Sequence, residues 1–230
     1  MSASQESVGA IIAAAGRSQR MGGRDKLFAV VGGQPLLAHT LSAFAGCRGV
    51  HRVVLVLSPE NMERGRELVA EAGFSKVAAV CQGGERRQDS VRNGLEALAS
   101  CQWVVVHDGA RPLVTAGLIE RGLEAAKETG AAIAALPIGD TVKEVEPPGL
   151  IGRTLSRGGL WAAQTPQVFR YDILREAHQR AQAEATDDAA LVEELGYQVK
   201  VFEGSPRNMK VATAADLALV EALLAQGRAG

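Results

Sequence analysis

The chain has 230 residues, a formal net charge of −1, 47% hydrophobic residues and only 4% aromatic ones. A nearly neutral chain without a basic helix or a long Lys/Arg run argues against a nucleic-acid or membrane-surface partner, and no apolar run approaches the ~20 residues of a membrane helix. The length fits one α/β domain over 1–230, and with so few aromatic residues the core is expected to be Ala, Val, Leu and Ile, which suits strands buried on both faces.

The N-terminus carries no basic segment followed by an apolar one, so no secretory signal is read and a soluble, cytoplasmic protein is expected. Cys47, Cys81 and Cys101 are odd in number and widely spaced, which fits free thiols better than a disulfide framework or a zinc site.

In chain order, 8–15 reads as a buried strand that breaks into Gly16-Arg17-Ser18-Gln19-Arg20-Met21-Gly22-Gly23-Arg24-Asp25-Lys26. Glycines let a backbone approach an anion closely, and successive amide N–H groups make an anion nest. Arg17, Arg20, Arg24 and Lys26 add enough charge for a triphosphate. The loop is neither a P-loop nor a Rossmann turn, because Ser18 and Met21 stand where the later Rossmann glycines belong; by itself it is equally compatible with a solvated basic turn.

A helix over 35–44 and a strand over 50–57 come next, and Ser58-Pro59-Glu60 reads as a helix start with Ser as N-cap. A strand over 76–81, a helix over 88–99, a short strand over 103–107, a helix over 115–128 and a strand over 130–137 continue the alternation. Such repeated β-α-β units predict a Rossmann-like, mostly parallel sheet with helices on both faces.

From 138 to 168 the rhythm changes. Residues 141–146 and 151–155 alternate polar and apolar around the Pro147-Pro148-Gly149 turn, which predicts a two-stranded excursion. A lone hairpin is unstable in water, so this arm is expected to pack on a second subunit. Helices over 171–183 and 187–195, a strand over 197–202 and a helix over 213–224 complete the chain.

In open α/β sheets, ligands bind beyond the carboxyl ends of the strands. That rule selects the loops at 16–26, 82–90, 107–112 and 138–143. Gly83, Gly84 and Ser90 in the second suit close packing of a base or ribose, although in isolation a plain glycine-rich turn opening a helix explains them better. In the third, Asp108 follows a strand end, where one carboxylate plus phosphate oxygens holds a magnesium ion. Arg111 there can fork onto a second phosphate; the plainer alternative, ranked behind metal and acceptor binding, has Asp108 cap the following turn and pair with Arg111. His107 is read as a strand-end residue without a chemical role, and Thr186-Asp187-Asp188 as a helix cap with acids at the positive end of the helix dipole.

The order of these features resembles the 2-C-methyl-D-erythritol 4-phosphate cytidylyltransferase family of the nucleotidyltransferase superfamily. The resemblance covers nearly the whole chain. It rests on Ala13-Ala14-Ala15-Gly16 with Arg20-Met21-Gly22 and Lys26, on His107-Asp108-Gly109-Ala110-Arg111-Pro112, and on Asp140-Thr141-Val142-Lys143. Arg157, Gly159-Leu160-Trp161, Gln164-Thr165-Pro166-Gln167, Thr186-Asp187-Asp188 and Asn208-Met209-Lys210-Val211 continue it.

The resemblance implies that Arg20, Lys26 and Lys210 are catalytic, and that Ala14, Ala15, Gly16, Arg17, Ser18, Gly83, Gly84 and Ser90 bind the nucleotide. It implies further that Asp108, Arg111, Thr141, Arg157, Thr165, Thr186 and Lys210 surround the acceptor, with Asp108 beside Mg2+ or a similar divalent cation. Family members are homodimers whose arm reaches the partner's active site. Ser18 stands where the family commonly has Gly, Asp25 where it has Pro, Leu27 where Gln is frequent, Gly109 where Ala is common and Ala212 where Thr is found. The expected reaction is transfer of CMP from CTP to 2-C-methyl-D-erythritol 4-phosphate. Alternatives are another polyol phosphate such as ribitol 5-phosphate, a molybdenum-cofactor nucleotidyltransferase, or a non-catalytic nucleotide-binding module.

Overall fold

In the computed structural model, residues 7–16, 25–99 and 101–228 are described. The chain runs β1 (Val8–Ala14), a 3-10 turn (Lys26–Phe28), β2 (Val30–Val31), β3 (Gln34–Pro35), α1 (Leu36–Gly46), β4 (Arg52–Leu57), a 3-10 turn (Pro59–Asn61), α2 (Met62–Glu71), β5 (Val77–Gln82) and α3 (Arg87–Leu98). It continues through β6 (Trp103–Asp108), α4 (Ala116–Ala126), β7 (Ala131–Pro137), β8 (Val142–Glu146), β9 (Leu150–Leu155), a 3-10 turn (Arg157–Gly159) and β10 (Trp161–Arg170). The elements α5 (Tyr171–Arg180), α6 (Asp188–Glu194), β11 (Lys200–Glu203) and α7 (Ala214–Arg228) close the fold.

Seven strands form one sheet in the order β11-β7-β10-β6-β1-β4-β5. β10 is antiparallel to both its neighbours, and the other pairings are parallel. The predicted mostly parallel sheet is therefore present, and its ligand-binding edge collects the ends of β1, β5 and β6.

Successive side chains of a strand point to opposite faces, and here both faces are apolar. Ala10 and Ile12 of β1, Val53 and Leu55 of β4 and Val105 of β6 pack under α1 and α4 through Leu37, Leu41, Phe44, Leu118 and Ile119. Ile11, Val54, Val56, Val104 and Val106 face the other way, under α3, α5 and α6. On that side α3 lies directly against the sheet. A Cβ at Gly94 would sit 2.6 Å from Ile11 Cγ2 and 3.1 Å from Val56 Cγ2.

The predicted excursion over 138–168 divides in two. β8 and β9 pair only with each other, as a hairpin outside the main sheet, whereas Trp161–Arg170 is a central strand of the sheet. Pro within a run argues against a central strand, and three buried polar side chains, Gln164, Thr165 and Gln167, hide its apolar character. The structure accommodates both. The register against β7 shifts between Ala163 and Gln167, where Pro166 has no N–H to give, and each buried polar group finds a partner. Gln167 donates to Asp187 Oδ2 at 2.7 Å, and Gln164 Nε2 donates to the Ser205 carbonyl at 3.1 Å. Ser58, read as an N-cap, makes no side-chain cap bond; a 3-10 turn precedes α2. The last predicted strand, 197–202, is confined to Lys200–Glu203.

Candidate active site

A cleft of about 520 Å³ opens at the carboxyl edge of the sheet. Ala14, Ala15, Gly16, Lys26, Gly83, Gly84, Ser90, Asp108 and Lys210 all line it. Residues some 200 positions apart in the chain thus meet at one place. Arg17 and Ser18, expected to bind the nucleotide, and Arg20, expected to be catalytic, lie outside the described residues.

The nucleotide side is shaped by close packing. A Cβ on Gly83 would lie 2.3 Å from Ala15 Cβ and 2.7 Å from Ser90 Oγ, so only glycine allows the two loops to touch. Gly84 N–H donates to Ser90 Oγ at 3.1 Å, and the Ser90 hydroxyl donates to the Arg86 carbonyl at 3.2 Å. Ser90 therefore holds the shape of the loop. Gly109 has a similar reason to depart from Ala, because a Cβ there would meet Ala14 Cβ at 2.9 Å.

Lys26 opens the 3-10 turn that leads away from the basic loop. Asp25 caps this turn, accepting the Leu27 N–H at 2.9 Å, and its other oxygen accepts from Asn61 Nδ2. Arg64 lies 4.1 Å from the centre of the Phe28 ring, and Leu27 is 2% exposed. Where Pro would stiffen the backbone before Lys26, Asp25 and Asn61 tie it to the start of α2. Lys26 Nζ donates to the Val211 carbonyl at 2.8 Å. Val211 N–H in turn donates to the Ala110 carbonyl at 2.8 Å, so the segment carrying Lys210 is drawn to the floor of the cleft. Ala212, with no hydroxyl, contributes its N–H to Asp216 Oδ2 at 2.8 Å, beside the Thr213 N–H.

Asp108 is the centre of charge. Lys210 Nζ is 2.9 Å from its Oδ2, Arg111 Nε is 3.5 Å from the same atom, and Arg87 Nε is 3.3 Å from Oδ1. Burial works against ionisation, yet Arg87, Lys210 and Arg111 outweigh it and hold the carboxyl well below the usual carboxylate range. Behind it, the Thr165 hydroxyl accepts the Asp108 backbone N–H at 3.0 Å and lies 3.0 Å from His107 Nδ1. His107 Nε2 faces the Arg111 carbonyl at 3.3 Å. A carbonyl only accepts, so Nε2 carries the ring proton and Nδ1 accepts from Thr165. Burial pushes the His107 pKa down to about 4, and the neutral ring acts as a spacer under the site.

The remaining acceptor candidates separate. Arg111 is buried and donates to the Asn208 carbonyl at 2.9 Å. Thr165 is buried with its hydroxyl engaged as described. Thr141, Arg157 and Thr186 are exposed and outside the cleft lining. Arg157 donates to the Gly139 carbonyl at the root of the β8–β9 hairpin. Among the described residues, no group of three or more His, Cys, Asp or Glu is arranged to hold a metal ion. Asp108 is nevertheless kept ionised at the cleft, which is what a hard cation shared with substrate phosphates requires.

Sequence reasoning missed Arg87, Asp188 and His178. Arg87 Nη1 is 2.7 Å from Asp188 Oδ2, and His178 Nε2 is 3.0 Å from Asp188 Oδ1. Of the Thr186-Asp187-Asp188 cap read from the sequence, Asp187 makes the cap bond, accepting the Ala190 N–H at 3.0 Å. One signal was available: Arg87 is a cation in the first turn of a helix, where the dipole favours anions.

A family model described as IspD, 2-C-methyl-D-erythritol 4-phosphate cytidylyltransferase, matches residues 8–226. The chain belongs to this family. A curated relative from Dehalococcoides mccartyi, named 2-C-methyl-D-erythritol 4-phosphate cytidylyltransferase, is 54% identical over 223 residues, covering 97% of this chain and 98% of its own. The crystal structure of the Thermus thermophilus cytidylyltransferase is 40% identical with a TM-score of 0.78, covering 94% of this chain and 97% of that one. That of the Anaerococcus prevotii 4-diphosphocytidyl-2C-methyl-D-erythritol synthase is 26% identical with a TM-score of 0.84, covering 96% of both chains. As a cytidylyltransferase of this family, the chain is a CTP-dependent nucleotidyltransferase.

Proposed function

We propose that this chain transfers the cytidylyl group of CTP to 2-C-methyl-D-erythritol 4-phosphate, giving 4-diphosphocytidyl-2-C-methyl-D-erythritol and pyrophosphate in the non-mevalonate isoprenoid pathway. The carrying observation is the meeting of Lys26, Asp108 and Lys210 in one cleft of a chain that belongs to the family. The reading carries a cytoplasmic location with it. Among the described residues, no helix is long and apolar enough to cross a membrane.

An oxygen of the acceptor phosphate attacks the α-phosphorus of CTP in line with the leaving group. A new P–O bond forms, the bond from the α-phosphorus to the bridging oxygen breaks, and pyrophosphate leaves with that electron pair. The acceptor is already anionic, so the step needs no strong general base. The barrier lies in bringing several negative charges together, and catalysis consists of positioning and electrostatic stabilisation. Lys26 and Arg20 bind the triphosphate and offset charge developing on the leaving group. Lys210 and Arg111, set by Asp108, orient the acceptor phosphate. Asp108 with the phosphates of CTP would hold Mg2+, which when bound supplies further neutralisation of phosphate charge.

The β8–β9 hairpin is assigned to the dimer. Val145, Leu150 and Ile151 are 58%, 68% and 62% exposed on it, more apolar surface than a solvated hairpin needs. Thr141 and Arg157, at its root and outside the lining of the chain's own cleft, are assigned to the partner subunit's acceptor site. Pyrophosphate release with Mg2+ and CTP tests the reaction, comparing methylerythritol 4-phosphate, ribitol 5-phosphate and no acceptor. Release with methylerythritol 4-phosphate alone is the expected result. Release only with ribitol 5-phosphate keeps the chemistry and replaces the acceptor, and silence with every acceptor despite CTP binding overturns the enzymatic reading.

A further inference from the structure

The first turn of α3 does more than end the glycine loop. Arg87 and Gln88, its first two residues, both reach across to the connection between α5 and α6. Gln88 Nε2 donates to the Ala183 carbonyl at 3.3 Å, and Gln88 Oε1 accepts the Ala185 N–H at 2.8 Å. Arg87 Nη1 donates to Asp188 Oδ2 at 2.7 Å, while Arg87 Nε donates to Asp108 Oδ1 at 3.3 Å. One guanidinium thus joins the first residue of α6 to the carboxylate that holds Lys210.

These contacts are not explained by helix stability. A cation in the first turn opposes the helix dipole, and Asp188 is a fully buried carboxylate, which is costly unless paired. Its compensation comes from Arg87 and from His178. Arg87 suits the role because a planar fork serves two carboxylates at once, which a lysine's point charge does not. Gln88 is itself buried, and both of its amide atoms are spent on the backbone of 183 and 185. The connection carrying Thr186 is therefore fastened to the nucleotide loop by side chains that the transfer step leaves unused.

We infer that Arg87 and Gln88 are positioning residues that couple the two halves of the site: occupancy of the Gly83–Ser90 side by CTP orders the 181–188 segment on the acceptor side. This deepens the proposed function and rests on the placement of Thr186, within 181–188, around the acceptor, as the family resemblance implies. The mechanism is the shared first turn of α3. A nucleotide seated on Gly83, Gly84 and Ser90 steadies that turn, and the turn steadies whatever is bonded to it.

The test is amide hydrogen exchange across 181–188, with and without CTP, in the parent protein and in Gln88→Ala and Arg87→Lys. In the parent, CTP is expected to slow exchange there by about 2- to 10-fold, the worth of one or two ordinary hydrogen bonds. Each variant is expected to bind CTP and keep the far-ultraviolet circular dichroism of the parent, yet to lose that slowing. No slowing in the parent, or slowing retained in both variants, overturns the coupling. Steady-state kinetics add a separate reading. The acceptor KM rises in Gln88→Ala while the CTP KM stays within twofold, whereas a merely structural loss moves both together. Because exchange is read with CTP alone, a failure of the acceptor assignment shows in turnover and leaves the coupling result standing.

Discussion

The chemistry proposed for Lys26 and Asp108 rests on neighbours that fix their atoms before substrate arrives. Lys26 is held by the Asp25 cap on its turn and by the Val211 carbonyl. Removing a preorganised charge-stabilising donor typically costs ~10² in rate. Lys26→Ala is therefore expected to lower kcat by about that factor with the fold intact, and near-normal turnover would remove Lys26 from the mechanism. His107 makes a different prediction. Its folded pKa of about 4 lies below the ~6.5 of a free imidazole. Above pH 6.5 the ring is neutral in both the folded and the unfolded chain, and its contribution to stability is fully present. As pH falls from 6.5 to 4 only the unfolded chain takes up the proton, and about 3 kcal/mol is lost. Urea unfolding between pH 7 and 4.5 reads this loss. His107→Gln, which keeps a donor and an acceptor but does not titrate, is expected to flatten the slope relative to the parent; identical slopes would place the proton elsewhere.

At the scale of elements, the cleft depends on how closely α3 approaches the sheet. Gly94 permits that approach, against Ile11 and Val56, which are both fully buried and β-branched. Alanine would favour the helix by about 1 kcal/mol but would force apart side chains that have no free rotamer, an overpacking cost of about 1–3 kcal/mol. Gly94→Ala is expected to lower Tm by a few degrees (about 2–4 °C per kcal/mol at this size). It should also raise the CTP KM, because the first turn of α3 is displaced with the helix. A higher Tm in calorimetry would show that the helix moves away without cost. The strand β10 carries the companion lesson. Its polar residues are what attach Asp187 and the 205–208 segment to the sheet, so the features that make it look like a loop are the ones that fasten these segments beside the cleft residue Lys210.

For the whole molecule, the deciding question is what covers the β8–β9 hairpin. An apolar hairpin outside the sheet is stable only when packed on something, and the proposed occupant is a second copy. Ile151→Arg together with Leu150→Glu is expected to convert a dimer into a monomer in sedimentation velocity. The near-ultraviolet spectrum should stay unchanged, and turnover should fall because Thr141 and Arg157 leave the partner's site. A monomeric parent protein would refute the assignment directly.

The alternation of apolar strands with amphipathic helices fixed the layered fold, because a sheet buried on both faces demands apolar residues along its strands, as 8–15, 53–57 and 103–106 display. Gly16, Lys26, Gly83, Gly84, Ser90 and Asp108 were legible as cleft residues because ligands sit beyond the carboxyl ends of the strands, and they line the cleft. Tertiary structure alone decided the rest. It placed β10 between β6 and β7, although Pro166 and three polar side chains spoke against a central strand. It also turned Asp188, in sequence one of two acids at a helix start, into the buried partner of Arg87, 101 residues away. Periodicity records which face a residue presents. It carries no information on which distant charge will compensate a carboxylate once water is removed, and that pairing is settled only when the elements pack.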